Sequence, residues 1–211
     1  MELHRPHEHS PFRSWQAFIV EIATIVIGVL IALSFEGLRE WNHNRTLARD
    51  ARQAIVRELT DNQKAVQGDI KNADARMTNL DNALKFVDEL LKTGKTSMHS
   101  MSLNVGLGDL STSSWQTADH TGALAHMPYA DVQKYAAAYV LQEQYQAQER
   151  RTLEHMTDAL SLVSTVTDPT LAPRADLERF RTQILTMSGD LYMETQLATQ
   201  LVARYGQALK E

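Results

Sequence analysis

Chemistry requires ionisable or nucleophilic groups held at short range, and this chain offers few such groupings. Glu149 and Glu194 occupy seam positions of two separate heptad patterns. If the end of the first long helix at Leu91 lies near the start of the helix carrying Glu149, the two carboxylates fall at one level, opposite Ala73. Two carboxylates in one layer would bind a cation or raise each other's pKa. The plainer reading makes Glu149, Glu194, Gln142 and Gln146 a polar layer at the seam's edge. There the glutamates are solvated or hydrogen-bonded to the glutamines, and the layer sets register. The plainer reading is the one carried forward.

Glu21 is the other candidate. It interrupts an apolar run from Ala17 to Phe35, and an ionisable group inside such a run is a functional candidate by default. Steps of three, four and seven residues bring Glu21, Thr24, Gly28 and Ala32 onto one helical face. Thr24, Gly28 and Ala32 form a small-xxx-small stripe, which lets two backbones approach closely. Glu21 then either sits in an oligomeric interface, carrying protons or pairing with a basic group, or reaches the headgroup region.

The remaining candidates are weaker. His4, His7 and His9 precede Pro11 in an N-terminal tail and read as solvated, because a closed metal site needs more ligands and a scaffold. His99, His120, His126 and His155 lack ligand spacing. Ser113 and Ser114 read as helix caps rather than nucleophiles. No phosphate loop, nucleophile elbow or zinc-protease signature is present, so neither an enzyme nor a cofactor is expected.

The elements that position these residues follow from composition and periodicity. The chain has 211 residues, 43% of them hydrophobic, with 9 Gly and 5 Pro, which suits a helix-rich domain plus an anchor. Net charge is −5 with no long run of either sign, so no nucleic-acid footprint is present. There is no cysteine, which excludes disulfides and thiol chemistry. The apolar run of about 19 residues is long enough to span a bilayer. Trp15 and Trp41 bracket it, and about 26 helical residues at ~1.5 Å each would set them near the two interfaces. A signal peptide is disfavoured because its apolar region is usually shorter and the small-x-small site is weak.

Beyond the span, Leu59, Val66, Ala73, Leu80 and Val87 form one heptad series, and Val56, Ile70, Met77, Leu84 and Leu91 the second. Gln63 is the polar intruder, and Gly94 supplies a stop. A kink at Gly37 or Gly68 is compatible with the pattern. A third helix has Val132, Tyr139, Gln146, Leu153 and Leu160 in one seam and Tyr135, Gln142, Glu149, Met156 and Val163 in the other. A fourth has Leu177, Ile184, Leu191, Ala198 and Tyr205 with Phe180, Met187, Glu194, Leu201 and Ala208.

The expected organisation is a flexible tail over 1–13, a transmembrane helix over 14–36 and an extramembrane helical-bundle domain over 37–211. Within that domain the pattern predicts a long helix over 37–92, a loop over 93–112, and helices over 113–125, 128–166 and 174–210. The fold class is all-α: one transmembrane helix continuing into a stalk and an antiparallel bundle. Trp115 is expected to seat the short helix, with Leu124, Met127 and Tyr129 packing the same corner.

Two stretches together resemble a known family. The first runs Glu21-Ile22, then Ile27 through Leu33, with Trp41-Asn42 beyond it. The second is Ser114-Trp115-Gln116-Thr117-Ala118, then Thr121 to Leu124 and Met127-Pro128-Tyr129. They are similar to an uncharacterised family of bacterial single-span membrane proteins with a helical extramembrane domain. The resemblance covers about half of the chain and carries no activity; it implies a cytoplasmic N-terminus and a periplasmic body. The expectation is a non-enzymatic inner-membrane protein whose partners are lipid and either further copies of itself or another membrane complex. The alternatives are a membrane-anchored sensory bundle that binds a ligand and a proton-linked accessory subunit using Glu21.

Overall fold

The computed structural model describes residues 15–96, 108–163 and 168–210. The expected tail over 1–13, its three histidines, His99 and most of the expected loop lie outside the described residues. Helix α1 spans Trp15–Thr93, α2 Ser113–His120, α3 Tyr129–Val163 and α4 Arg174–Ala208, with 3-10 turns at Ala123–His126 and Pro169–Leu171. The fold is all-α, and α1 is unbroken at both Gly37 and Gly68. The chain divides into two units, Met1–Leu47 and Ala48–Glu211.

The first unit is a single helix in which no described residue is buried. Phe18, Ile19, Val20, Ile22, Ile25 and their neighbours expose large apolar side chains on every side. The hydroxyls of Thr24 and Ser34 donate to the carbonyls of Val20 and Leu30, four residues back, at 2.9 and 2.7 Å. Both hydroxyls are thereby satisfied within their own helix. The Arg45 guanidinium lies 5.4 Å from the centre of the Trp41 ring, within cation–π range.

The second unit is a bundle of the distal part of α1 with α3 and α4. Gly94 ends α1 in the left-handed region at φ 67°, and its N–H donates to Leu90 O at 2.9 Å. A glycine is favoured there because a Cβ would be strained. Helix directions follow from which residues meet. Arg174, Arg181 and Glu194 of α4 contact Leu91, Asp88 and Arg76 of α1, so these two helices are antiparallel. Tyr139, Gln142 and Tyr145 of α3 contact Glu58, Asn62 and Asp69, so α3 runs parallel to α1. The expected antiparallel arrangement therefore holds for α4 against both neighbours and not for α1 against α3. The start of α3 lies beside Arg52, which pairs with Asp131 at 3.5 Å, and not beside Leu91. At Gly108 the chain is again level with Asp69.

Burial corrects two of the seams. All ten predicted seam residues of α4 are buried. In α1 the series Leu59 to Val87 is buried, but Val56, Ile70, Met77, Leu84 and Leu91 are only half-buried edge positions. The second seam is instead Ile55, Asn62, Asp69, Arg76, Ala83 and Leu90, of which all but the half-buried Asp69 are buried. In α3, Ala138, Tyr145, Thr152 and Ala159 are buried, whereas Leu153 is half-buried and Leu160 exposed. The reason is common to both: the true seams carry polar residues, which apolar periodicity passes over.

Toward the C-terminal end of α1 the interior is wholly apolar, with Leu80, Val87, Phe180, Ile184 and Met187 in one cluster. The expected short helix over 113–125 breaks at Gly122, whose φ of 73° no helix accepts, so α2 and a separate 3-10 turn replace it. Trp115 stacks near Tyr139, ring centres 5.2 Å apart, and Leu124 is half-buried. Tyr129 does not pack this corner. As the first residue of α3 it is 76% exposed, and Ala118, Ala123 and Met127 fill the space.

Candidate functional site

The polar part of the bundle interior is the candidate site, and it consists of two connected layers. In the first, Glu58 of α1 accepts four hydrogen bonds. Its Oε2 receives the Ser111 hydroxyl at 2.7 Å, the Ser113 hydroxyl at 3.1 Å and the Ser114 N–H at 2.8 Å; Oε1 receives the Tyr139 hydroxyl at 2.6 Å. Burial alone would raise this carboxyl, but the four donors outweigh it and hold the pKa below the usual 4.5. Glu58 is thus a fixed anion at the start of α2. It supplies from another helix the cap expected of Ser113 or Ser114, neither of which caps through its own side chain.

Beside Glu58, two side-chain amides clamp the peptide of Ser111. Asn62 Nδ2 and Gln142 Nε2 donate to Ser111 O at 2.7 and 3.1 Å, while Ser111 N–H donates to Asn62 Oδ1 at 3.0 Å. Tyr205 completes the layer by donating to Gln142 Oε1 at 2.7 Å. Gln146 holds the preceding residue, donating to Leu110 O at 3.1 Å. The glutamines therefore bind the returning segment and do not bond to Glu149 or Glu194.

The second layer is ionic. Arg76 donates to Glu194 Oε1 at 2.7 Å, and the pair is almost entirely enclosed. Thr152 donates to the other oxygen of Glu194 at 3.0 Å. Glu149 is buried and accepts the Gly108 N–H at 3.1 Å, while Tyr145 donates to Asp69 at 3.2 Å. Burial pushes the Glu149 carboxyl up to about 7; the Gly108 hydrogen bond and the nearby Tyr145 hydroxyl oppose this, and the charges of Glu194 and Asp69 add to it. The Asp69 carboxyl is also raised, chiefly by burial. One further pair borders the layer: His155 Nδ1 meets Asp190 Oδ2 at 2.5 Å, and Gln148 donates to the same carboxylate at 3.1 Å.

Glu149 and Glu194 thus lie at neighbouring levels around Ala73, although α3 runs opposite to the direction from which that level was reasoned. The layer is close to the middle of α3 and of α4, and reversing a helix about its midpoint leaves the midpoint in place. The residues that periodicity missed are Glu58, Asn62, Asp69, Arg76, Tyr145 and Thr152. One signal for them was present: Asn62, Asp69 and Arg76 repeat at seven-residue intervals in register with Ile55, Ala83 and Leu90.

Chemically, Glu58 is too acidic and too fully occupied to act as a general base for the serines that donate to it. The Glu149 carboxyl, pushed up to about 7 by burial, holds the returning segment through Gly108. The candidate face Glu21, Thr24, Gly28 and Ala32 is exposed throughout, and a Cβ on Gly28 would meet nothing within 4 Å. Trp15 and Trp41 are likewise exposed, at 74% and 57%. No family model, curated protein or solved structure matches this chain.

Proposed function

We propose that this chain is a non-enzymatic single-pass protein of the bacterial inner membrane, acting as a structural or assembly subunit through helix–helix association. On this reading the N-terminus is cytoplasmic and the bundle periplasmic. One observation carries the proposal: between Ala17 and Phe35 α1 is apolar apart from Glu21 and a few small polar residues, with a mean hydropathy of 2.6 over its best 18 residues and none of them buried. Such a surface needs lipid or other helices to cover it. The bare Gly28 backbone between Thr24 and Ala32 supports close approach of a second helix.

The test is twofold. The full chain should remain in the membrane pellet after alkaline washing, and in mild detergent it should sediment as a defined oligomer that Gly28→Leu weakens. Recovery in the aqueous fraction would sink the anchor. A monomer at every concentration, with nothing co-purifying, would sink the assembly role.

A second reading, a sensory bundle, is favoured by the Glu149 carboxyl, whose protonation near neutral pH bears directly on the segment at Gly108. It predicts that protease sensitivity between Lys95 and Ser111 changes between pH 5 and pH 8, and that Glu149→Gln removes the change. The proton-linked reading rests on Glu21 alone, and an unchanged phenotype in Glu21→Gln would end it.

A further inference from the structure

A cavity of about 340 Å³ opens between the first turns of α1 in the second unit, the start of α3 and the end of α4. Its lining carries Arg52, Arg57 and Lys210 and no carboxylate, with Gln53 beside them and an apolar strip of Val56, Ala208 and Leu209. Arg52 is partly engaged with Asp131 at 3.5 Å. Arg57 and Lys210 are exposed and form no ion pair among the described residues.

Tyr135 is the second, independent sign of a ligand. It is only 2% exposed and lines the cavity, yet its hydroxyl makes no hydrogen bond among the described residues. Among those residues the one buried side-chain polar atom sealed from solvent without a partner is Arg76 Nε. The Tyr135 hydroxyl therefore keeps access to solvent, and Tyr135 lines the cavity. With no partner in the protein, that hydroxyl is available to a ligand oxygen in place of water.

We infer that this cavity binds a phosphate ester, with Arg57 and Lys210 on the phosphate oxygens, the Tyr135 hydroxyl as a further donor and Val56, Ala208 and Leu209 against the ester's organic part. The donor set argues for phosphate over a carboxylate. Cations on α1 and just past the end of α4 can reach different oxygens of a tetrahedral anion, and the arginine fork matches two of them at once. The volume exceeds that of a bare phosphate and leaves room for a glycerol-sized group. Two sources supply this chemistry, an anionic phospholipid headgroup and a soluble phosphate monoester. The lipid source rests on the membrane reading above, and the soluble source does not.

The experiment uses the full chain, reconstituted in nanodiscs of phosphatidylglycerol mixed with phosphatidylcholine and then released for native mass spectrometry. In parallel, equilibrium dialysis in zwitterionic detergent measures binding of labelled glycerol 3-phosphate. The wild-type chain is expected to retain phosphatidylglycerol over phosphatidylcholine, and the double variant Arg57→Gln/Lys210→Gln to lose about tenfold in that preference. Tyr135→Phe, which removes the hydroxyl alone, should lose about threefold with an unchanged melting temperature. Saturable, variant-sensitive binding of glycerol 3-phosphate without lipid enrichment supports the site and assigns it to a soluble ester. Equal retention of phosphatidylglycerol and equal glycerol 3-phosphate binding by wild type and double variant overturns the proposal, as does binding of neither probe. A chain that washes off membranes yet binds glycerol 3-phosphate through Arg57 and Lys210 refutes the anchor and leaves the site standing.

Discussion

Asp69 Oδ2 stands 2.8 Å from the point that a Cβ on Gly108 would occupy, so the returning segment passes the ionic layer as bare backbone. The same glycine donates its N–H to Glu149 at 3.1 Å, and the segment is thereby held between α1 and α3.

Gly108→Ala should therefore destabilise the bundle. The added methyl must displace Asp69 from Tyr145 or lift the segment from Glu149, at a cost of about 1–3 kcal/mol. Thermal unfolding of the full chain in detergent, followed by circular dichroism, reads this as a lowered midpoint. Asp69→Ala in the same chain makes room for the methyl, so the double variant should lose less than the two single losses added together. Strict additivity would mean that the contact does not govern the site.

The pH dependence of stability should have two opposed limbs. The Glu149 carboxyl is raised from 4.5 to about 7 in the folded state, so between those values the folded chain holds a proton that the unfolded chain has released. Stability from this group is then greatest at the acid side and falls as pH rises through 7. Glu58 is lowered, and its contribution is lost as pH falls below the usual carboxylate range. The melting midpoint should be highest near pH 5, decline by on the order of 5 °C between pH 5 and pH 7, and level off above that. Glu149→Gln should flatten the alkaline limb and leave the acid limb unchanged; an unaltered alkaline limb would refute the assignment.

The enclosed Arg76–Glu194 pair should be costly to break and cheap to replace. Glu194→Leu or Arg76→Met alone leaves a buried charge without its counter-ion and should cost about 3–5 kcal/mol. The combination Arg76→Met/Glu194→Leu should recover most of that loss, because desolvating two charges consumes much of what their attraction returns. Denaturant titration of the four chains closes the cycle, and a double variant as unstable as the worse single one would show that the pair is a net stabiliser.

Comparing the helices shows what could be read from the chain. On α4 every seam residue from Leu177 to Ala208 is visible in the sequence because nine of the ten are apolar and repeat at helical spacing. On α1 the same rule selected Val56, Ile70 and Met77 over Asn62, Asp69 and Arg76. A polar residue at a core position looks identical to one at the surface until its partner is known. Those partners, Gln142, Tyr145 and Glu194, lie 76 to 118 residues away in the chain. The polar layer was thus found through Glu149 and Glu194, while its α1 side was not.

The positions of the helices, the stop of α1 at Gly94, the start of α4 behind Pro173 and the apolar run behind Trp15 are properties of short segments. Backbone freedom, side-chain period and hydropathy act over a few residues and can be read one window at a time. The direction of α3, the docking of Gly108 and Ser111, and the pairing of the buried charges are properties of segments far apart. A helix presents the same apolar stripe whichever way it runs, so periodicity carries no sign of direction. It was the burial of Glu58, Asn62, Arg76 and Glu149 against specific donors and acceptors that chose among the alternatives, because each would be left unsatisfied in any other packing.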